Sequence, residues 1–176
     1  MKITTILGAL AIVAPFATIG EAHASDFYVR GGAGVTTNSD ASGIALNDGS
    51  AFAVGAGTTV GPFRVEGRVD RLSGDLGGYV QAHALDTHID ATLDLRLGHD
   101  TAVFGGAGFD YVRAEAKVPW GSMDADGTGW SWHGGVSHRV GEHLIADLEY
   151  RELNVSDLSG IDLTAREVMV SLRAPF

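Results

Sequence analysis

The histidines, with the hydroxyls and carboxylates near them, are the residues of this chain best suited to chemistry. His83 and His88 stand five positions apart, as do His133 and His138. On a strand an odd spacing sends two side chains to opposite faces, so neither pair can share a metal there. Ser131 and His133, with Glu149 further along, hold the parts of a base-activated hydroxyl. The weightier reading of His133 is an ordinary hydrogen-bonding histidine. Asp124-Ala125-Asp126-Gly127 hints at a calcium loop, but Gly135 occupies the twelfth place, where an EF-hand needs a bidentate Glu. Gly-x-Gly recurs without completing the nucleotide-binding fingerprint before a helix. Asn154-Val155-Ser156 reads as a chance match to a glycosylation sequon. No catalytic residue, cofactor site or metal site is assigned on these patterns.

Composition narrows the field further. The 176 residues carry 12 basic and 22 acidic side chains, a formal charge of −10, which argues against a nucleic-acid binder. With no cysteine, disulfide frameworks, thiolate metal sites and cysteine nucleophiles are excluded. The length suits one domain.

The elements that must position these residues are strands. Phe63 to Asp70 alternates without a fault, apolar residues or glycine at odd positions and charge at every even one. Leu85 to Leu97 sets Leu85, Thr87, Ile89, Ala91, Leu93, Leu95 and Leu97 against His88, Asp90, Thr92, Asp94 and Arg96. Residues 144–151 and 167–176 alternate in the same way, and glycine-rich strands are expected near 27–35, 51–60, 102–113 and 129–140. Such alternation would put charge all round a helix, so no helix is expected in the mature chain.

At the N-terminus, Lys2, an apolar run from Ile6 to Ile19 and Ala22-His23-Ala24 form the three parts of a secretory signal. Cleavage is expected between Ala24 and Ser25, giving a signal peptide over 1–24 and one domain over 25–176. Tight turns at 60–62, 98–101 and 141–143 alternate with longer polar segments at 36–48, 73–78, 114–127 and 156–162. Short turns alternating with long loops, and strands of about ten residues, predict an all-β fold, an eight-stranded antiparallel up-and-down transmembrane barrel. Two aromatic girdles are expected. Phe27, Phe63 and Phe176 mark the short-turn end, and Phe52, Tyr111, Trp130 and Trp132 mark the other.

Three stretches then carry a resemblance: Phe27-Tyr28-Val29-Arg30-Gly31-Gly32-Ala33-Gly34, Gly105-Gly106-Ala107-Gly108-Phe109-Asp110-Tyr111, and the run from His133 through Tyr150-Arg151 to terminal Phe176. Together they resemble the small outer-membrane β-barrel family of Gram-negative bacteria, the OmpA/OmpX/Opa type. The resemblance implies residence in the outer membrane after export. It also implies recognition of the last strand by the outer-membrane assembly machinery, although Pro175 stands where the family has an aromatic or basic residue. The family includes adhesins, structural proteins and a few enzymes. Lipid A deacylases are similar in size and form and use a His/Ser pair with an acidic partner, but their His-x-Ser order is missing here; Ser137-His138 is reversed.

On this fold the lumen is expected to hold Arg30, Arg64, Arg68, Arg96, Arg139, Arg151 and Arg173. Against them stand Glu66, Asp70, Asp90, Asp94, Asp110, Asp147, Glu149 and Glu167, a nearly balanced network that fills a narrow interior. Most of the acidic excess falls on the loops. The expected partners are outer-membrane lipid and lipopolysaccharide, the latter with divalent cations bridging at acidic loops, and no nucleic acid. The favoured function is a non-enzymatic structural or surface-interaction barrel. The alternatives are a lipid-modifying barrel enzyme of the lipid A deacylase type and a small-solute channel.

Overall fold

A computed structural model describes residues 27–37, 39–41, 44–46, 49–76, 80–118, 121–158 and 161–176. The expected signal peptide and its cleavage point at Ala24 and Ser25 lie outside the described residues. Among the described residues there are ten strands: β1 (Phe27–Thr36), β2 (Ser39–Ala41), β3 (Ile44–Leu46), β4 (Gly49–Val60), β5 (Phe63–Leu76), β6 (Val80–Arg96), β7 (Thr101–Val118), β8 (Gly121–Gly141), β9 (Leu144–Leu158) and β10 (Ile161–Pro175). Eight of them, β1 and β4 to β10, pair in sequence order with antiparallel neighbours, and β1 pairs with β10 to close the ring. Closure removes the sheet edges, so every backbone group in the spanning zone has a partner where lipid offers none. No helix among the described residues is long and apolar enough to cross a membrane.

The polarity of the barrel is inverted relative to a water-soluble protein. Val54, Ile89, Leu93, Leu148, Val170 and Leu172 stand exposed on the outer wall, while Arg64, Glu66, Arg68 and Asp70 are buried inside. Period-two alternation produces this directly, because successive side chains of one strand face opposite sides. The β4–β5 turn depends on Gly61, whose φ of +63° suits a residue without Cβ.

All four segments expected as loops are strand over most of their described residues, including 73–76 at the end of β5 and 156–158 and 161–162 at the ends of β9 and β10. Residues 114–118 and 121–127 are the converging ends of β7 and β8, which pair residue by residue up to Val118 and Gly121. β7 and β8 are 18 and 21 residues long, whereas a tilted strand crosses the hydrocarbon in about 9–11. The hairpin therefore stands well clear of the membrane on the side away from the short turns. Within 36–48, β2 and β3 form a small hairpin, and β2 extends the pairing on β10 through Ala41 and Asp40. Side-chain alternation fades in these segments because both faces leave the lipid, so the sequence pattern that marks a spanning strand is absent there.

Inward glycines give the lumen side chains their room. Gly106 of β7 lies beneath the His133 ring, and a Cβ placed on it would lie 2.6 Å from His133 Nε2 and closer still to the Ala91 carbonyl oxygen. Its neighbour Gly105 faces outward, with the nearest atom 3.7 Å from such a Cβ. Gly106→Ala is expected to destabilise the barrel by about 1–3 kcal/mol through overpacking, with Gly105→Ala close to neutral, as measured by urea unfolding in detergent. A folded sample should also give a β-rich circular-dichroism spectrum and a gel mobility that changes on boiling. A helical spectrum is incompatible with this fold.

Candidate functional site in the barrel lumen

The interior is stratified along the barrel axis. On β5, β6 and β9 the inward charges lie toward the short-turn end with small or apolar residues beyond, and β4 carries no charge. On β9 the inward run is Asp147, Glu149, Arg151, then Leu153 and Val155; on β5 it is Arg64, Glu66, Arg68, Asp70, then Leu72. The apolar ends meet as one cluster of Ala51, Ala53, Leu72, Val112, Leu153, Val155, Ala165 and Met169. Charge alternation alone does not reveal this layer. Its signal is the alanine and valine that hold the same inward parity as the charges below them.

Beneath that layer sits Arg151, with no side-chain exposure. From β9 it reaches across the lumen to Asp70 of β5 at 3.2 Å, Asp86 of β6 at 2.8 Å and Glu167 of β10 at 3.0 Å, and it also bonds Asp110 of β7. The register makes this bridge necessary. Asp70 lies directly opposite Asp86 across β5 and β6, and Glu66 opposite Asp90. Like charges so placed repel unless a cation stands between them. His88, opposite Arg68, lies between Asp86 at 3.1 Å and Asp90 at 3.1 Å. Asp70, Asp86 and His88 come close enough to face a common cation, and the Arg151 guanidinium occupies that position.

One level down, Glu149 accepts from Arg68 at 2.7 Å and from Arg30 at 2.8 Å, and Arg30 also donates to Ser171 at 2.8 Å. Arg68 pairs with Asp70 at 3.0 Å. Lower still, Arg173 bonds Asp147 at 3.1 Å and lies over the Tyr28 ring. Arg64 bonds Asp94 at 2.8 Å and lies over Phe104.

Of the residues expected in the lumen, all but two therefore make internal ion pairs, Asp90 through His88. Arg96 and Arg139 do not. Both are exposed, because their strands end at the short-turn mouth, where the interior opens to water. Asp86, which shares the inward parity of His88 and Asp90 but is not among the residues expected in the lumen, joins the network. Among the described residues five arginines and eight carboxylates are buried, an acidic set rather than the near balance expected.

The candidate catalytic groups are separated. His133 meets Thr92 Oγ1 at 2.9 Å inside the barrel, while Ser131 donates to Asp110 at 3.2 Å. Glu149 is taken by two arginines. His138 stands on the outer face and bonds Thr101 at 3.0 Å near the short-turn end. Asp124 and Asp126, the calcium-loop hint, lie exposed on strand β8, where Tyr111 donates to Asp126 at 3.3 Å. Of the aromatic residues, Phe52, Phe63, Trp130, Trp132 and Phe176 are exposed on the outer wall, and Phe27 and Tyr111 are partly covered there. Trp132 packs against Tyr150 at 5.3 Å between ring centres.

The family described as "Outer membrane protein beta-barrel domain" matches residues 3–175. The chain belongs to this family. It is an outer-membrane β-barrel protein of the Gram-negative type. A comparison with curated proteins gave no match. Among solved structures, neisserial surface protein A aligns with a TM-score of 0.76 and 18% identity, covering 85% of this chain and 97% of that one. OprG of Pseudomonas aeruginosa aligns at 0.60 and 12%, covering 86% and 96%. Ail of Yersinia pestis aligns at 0.57 and 13%, covering 84% and 97%. At these identities the likeness is one of fold.

Removing one member of a buried charge network leaves its partners desolvated and unpaired, at a cost of about 3–5 kcal/mol. Arg151→Ala and Arg68→Ala are each expected to destabilise the folded barrel on that scale in urea titrations. Arg71→Ala, at an exposed outer position, should change it by less than about 0.5 kcal/mol.

Proposed function

We propose that this protein is a non-enzymatic outer-membrane barrel, a rigid structural platform whose projecting strands meet the cell surroundings. The observation that carries this reading is the position of Arg151, unexposed and tied to carboxylates of four other strands. A lumen cross-braced in that way, and covered by an apolar layer, favours a filled interior over a water path. It weighs against the small-solute channel.

The enzyme reading has a specific weakness. Thr92 and His133, the hydroxyl and base that do meet, are both buried in the lumen and face away from lipid. A lipid-modifying enzyme needs its nucleophile within reach of an outer-leaflet acyl ester.

The outer wall suggests partners. Exposed Arg71 and Arg113, with Arg166 near the Trp132–Tyr150 contact, stand among aromatic side chains on the side away from the short turns. Aromatic rings favour the headgroup layer, and guanidinium groups favour phosphate. This combination fits outer-leaflet lipopolysaccharide. Exposed Asp124, Asp126 and Glu115 on the projecting β7–β8 hairpin are the carboxylates for divalent cations that bridge to anionic saccharide. The final strand, with outward Val168, Val170, Leu172 and terminal Phe176, is the segment offered to the assembly machinery.

Two measurements test the reading. Purified protein in planar bilayers is expected to show no large, stable conductance; steady large channels would replace this proposal with the porin reading. Overexpression is expected to leave lipid A acylation unchanged in mass spectra. Loss of an acyl chain that depends on His133 would establish the enzyme instead.

A further inference from the structure

At the short-turn end the barrel opens into a cavity of about 370 Å³ whose wall includes Asp94, Arg96, Thr101, Ser137, Arg139 and Arg173. Three of these are arginines, delivered from inward positions near the ends of β6, β8 and β10. Their states differ. Arg173 forms the inner wall and is held by Asp147 at 3.1 Å and by Ser137 at 3.3 Å. Arg96 and Arg139 are exposed, and among the described residues neither has a carboxylate partner. Arg139 has only a long contact to the Glu142 carbonyl, at 3.4 Å.

Asp94 and Asp100 line the same cavity, and among the described residues neither forms an ion pair with Arg96 or Arg139. Asp94 is engaged by Arg64 at 2.8 Å. Asp100 lies in the turn before β7, where its backbone carbonyl accepts from the Arg139 amide at 2.7 Å. That bond fixes the end of β8, and with it the origin of the Arg139 side chain, against the β6–β7 turn. His99 of the same turn also lines the wall. Two guanidinium groups without ion-pair partners among the described residues thus line one concave mouth.

We propose that this mouth is a binding site for a phosphate group, clamped between Arg96 and Arg139 with His99 beside them. Guanidinium forks match phosphate oxygens in planar, paired hydrogen bonds. The excess of buried carboxylates deeper in the lumen repels an anion that has entered, so the ligand stops at the mouth instead of passing through. Short turns face the periplasm in outer-membrane barrels. The phosphate is therefore either free in the periplasm or carried by a lipid headgroup of the inner leaflet. This site is independent of the structural role proposed above, since the filled lumen lies above it and neither Arg96 nor Arg139 belongs to the ion-paired set.

The test uses the whole folded protein in nonionic detergent micelles, titrated with inorganic phosphate in a calorimeter. Three proteins are compared: wild type, Arg96→Gln/Arg139→Gln, and the control His143→Gln, in the exposed β8–β9 turn outside the cavity wall. Folding of each is verified by heat-dependent gel mobility. Wild type and control should bind alike, and the mouth variant should bind at least about tenfold more weakly, the scale of losing charge-assisted hydrogen bonds. Absence of binding to wild type, or equal binding by the mouth variant, would overturn the proposal. Repeating the titration in phosphatidylglycerol and phosphatidylcholine nanodiscs separates the two sources. A weaker apparent affinity in the anionic discs that vanishes in the mouth variant assigns the site to a lipid headgroup. Equal affinity in both discs assigns it to free phosphate.

Discussion

The architecture depends on one guanidinium. Asp70 and Asp86 face each other across β5 and β6, and Asp110 and Glu167 approach from β7 and β10. Four carboxylates this close, away from water, cannot all remain charged without a cation among them. Arg151 reaches them from β9 and touches all four. Because its partners lie on strands around the ring, the bond set acts across the lumen, where the backbone ladder acts only between neighbours. A sheet closed by hydrogen bonds alone resists unzipping. Cross-bracing through the interior also resists flattening and opening.

Among the described residues, the buried arginines serve seven of the eight buried carboxylates, Asp90 being held by His88, because each guanidinium offers five donors in a fixed fork. Arg151 contacts four acids, Arg68 contacts Asp70, Glu149 and Glu167, and Arg30 contacts Glu66 and Glu149. Lysine, a compact charge on a flexible stem, could not serve several partners in one plane, and the described interior contains none. The apolar layer of Ala51, Ala53, Leu153 and Val155 has a complementary effect. It excludes water from the outer side, which strengthens every ion pair beneath it and raises the penalty for leaving one unpaired.

The two ends of the molecule consequently differ in kind. Beyond the apolar layer, β7 and β8 run on as a paired ribbon with exposed acids on its outer face. At the other end the lumen is uncovered, and its last inward side chains, Arg96 and Arg139, meet water. Inner and outer surfaces are set by the same alternation, so a single two-residue period serves lipid outside, ion pairs inside and solvent at the mouth.

That period is why so much of the fold is legible in the amino-acid sequence. Phe63 to Asp70 and Leu85 to Leu97 alternate so strictly that strand identity, the inward face and membership in a closed barrel follow from residue order. Local pattern cannot state register. Whether Asp70 opposes Asp86 or a neighbour two places away decides which acids repel and which arginine must intervene, and that is settled only when strands pair. The same limit hides the projecting parts of β7 and β8, where both faces are solvated and alternation loses its cause. It also groups Arg96 and Arg139 with the buried set, since parity gives direction but not depth. The sequence by itself determined which way each side chain points. Only the tertiary structure decided how deep each one lies and which charge it meets, because those depend on the stagger between strands far apart in the chain.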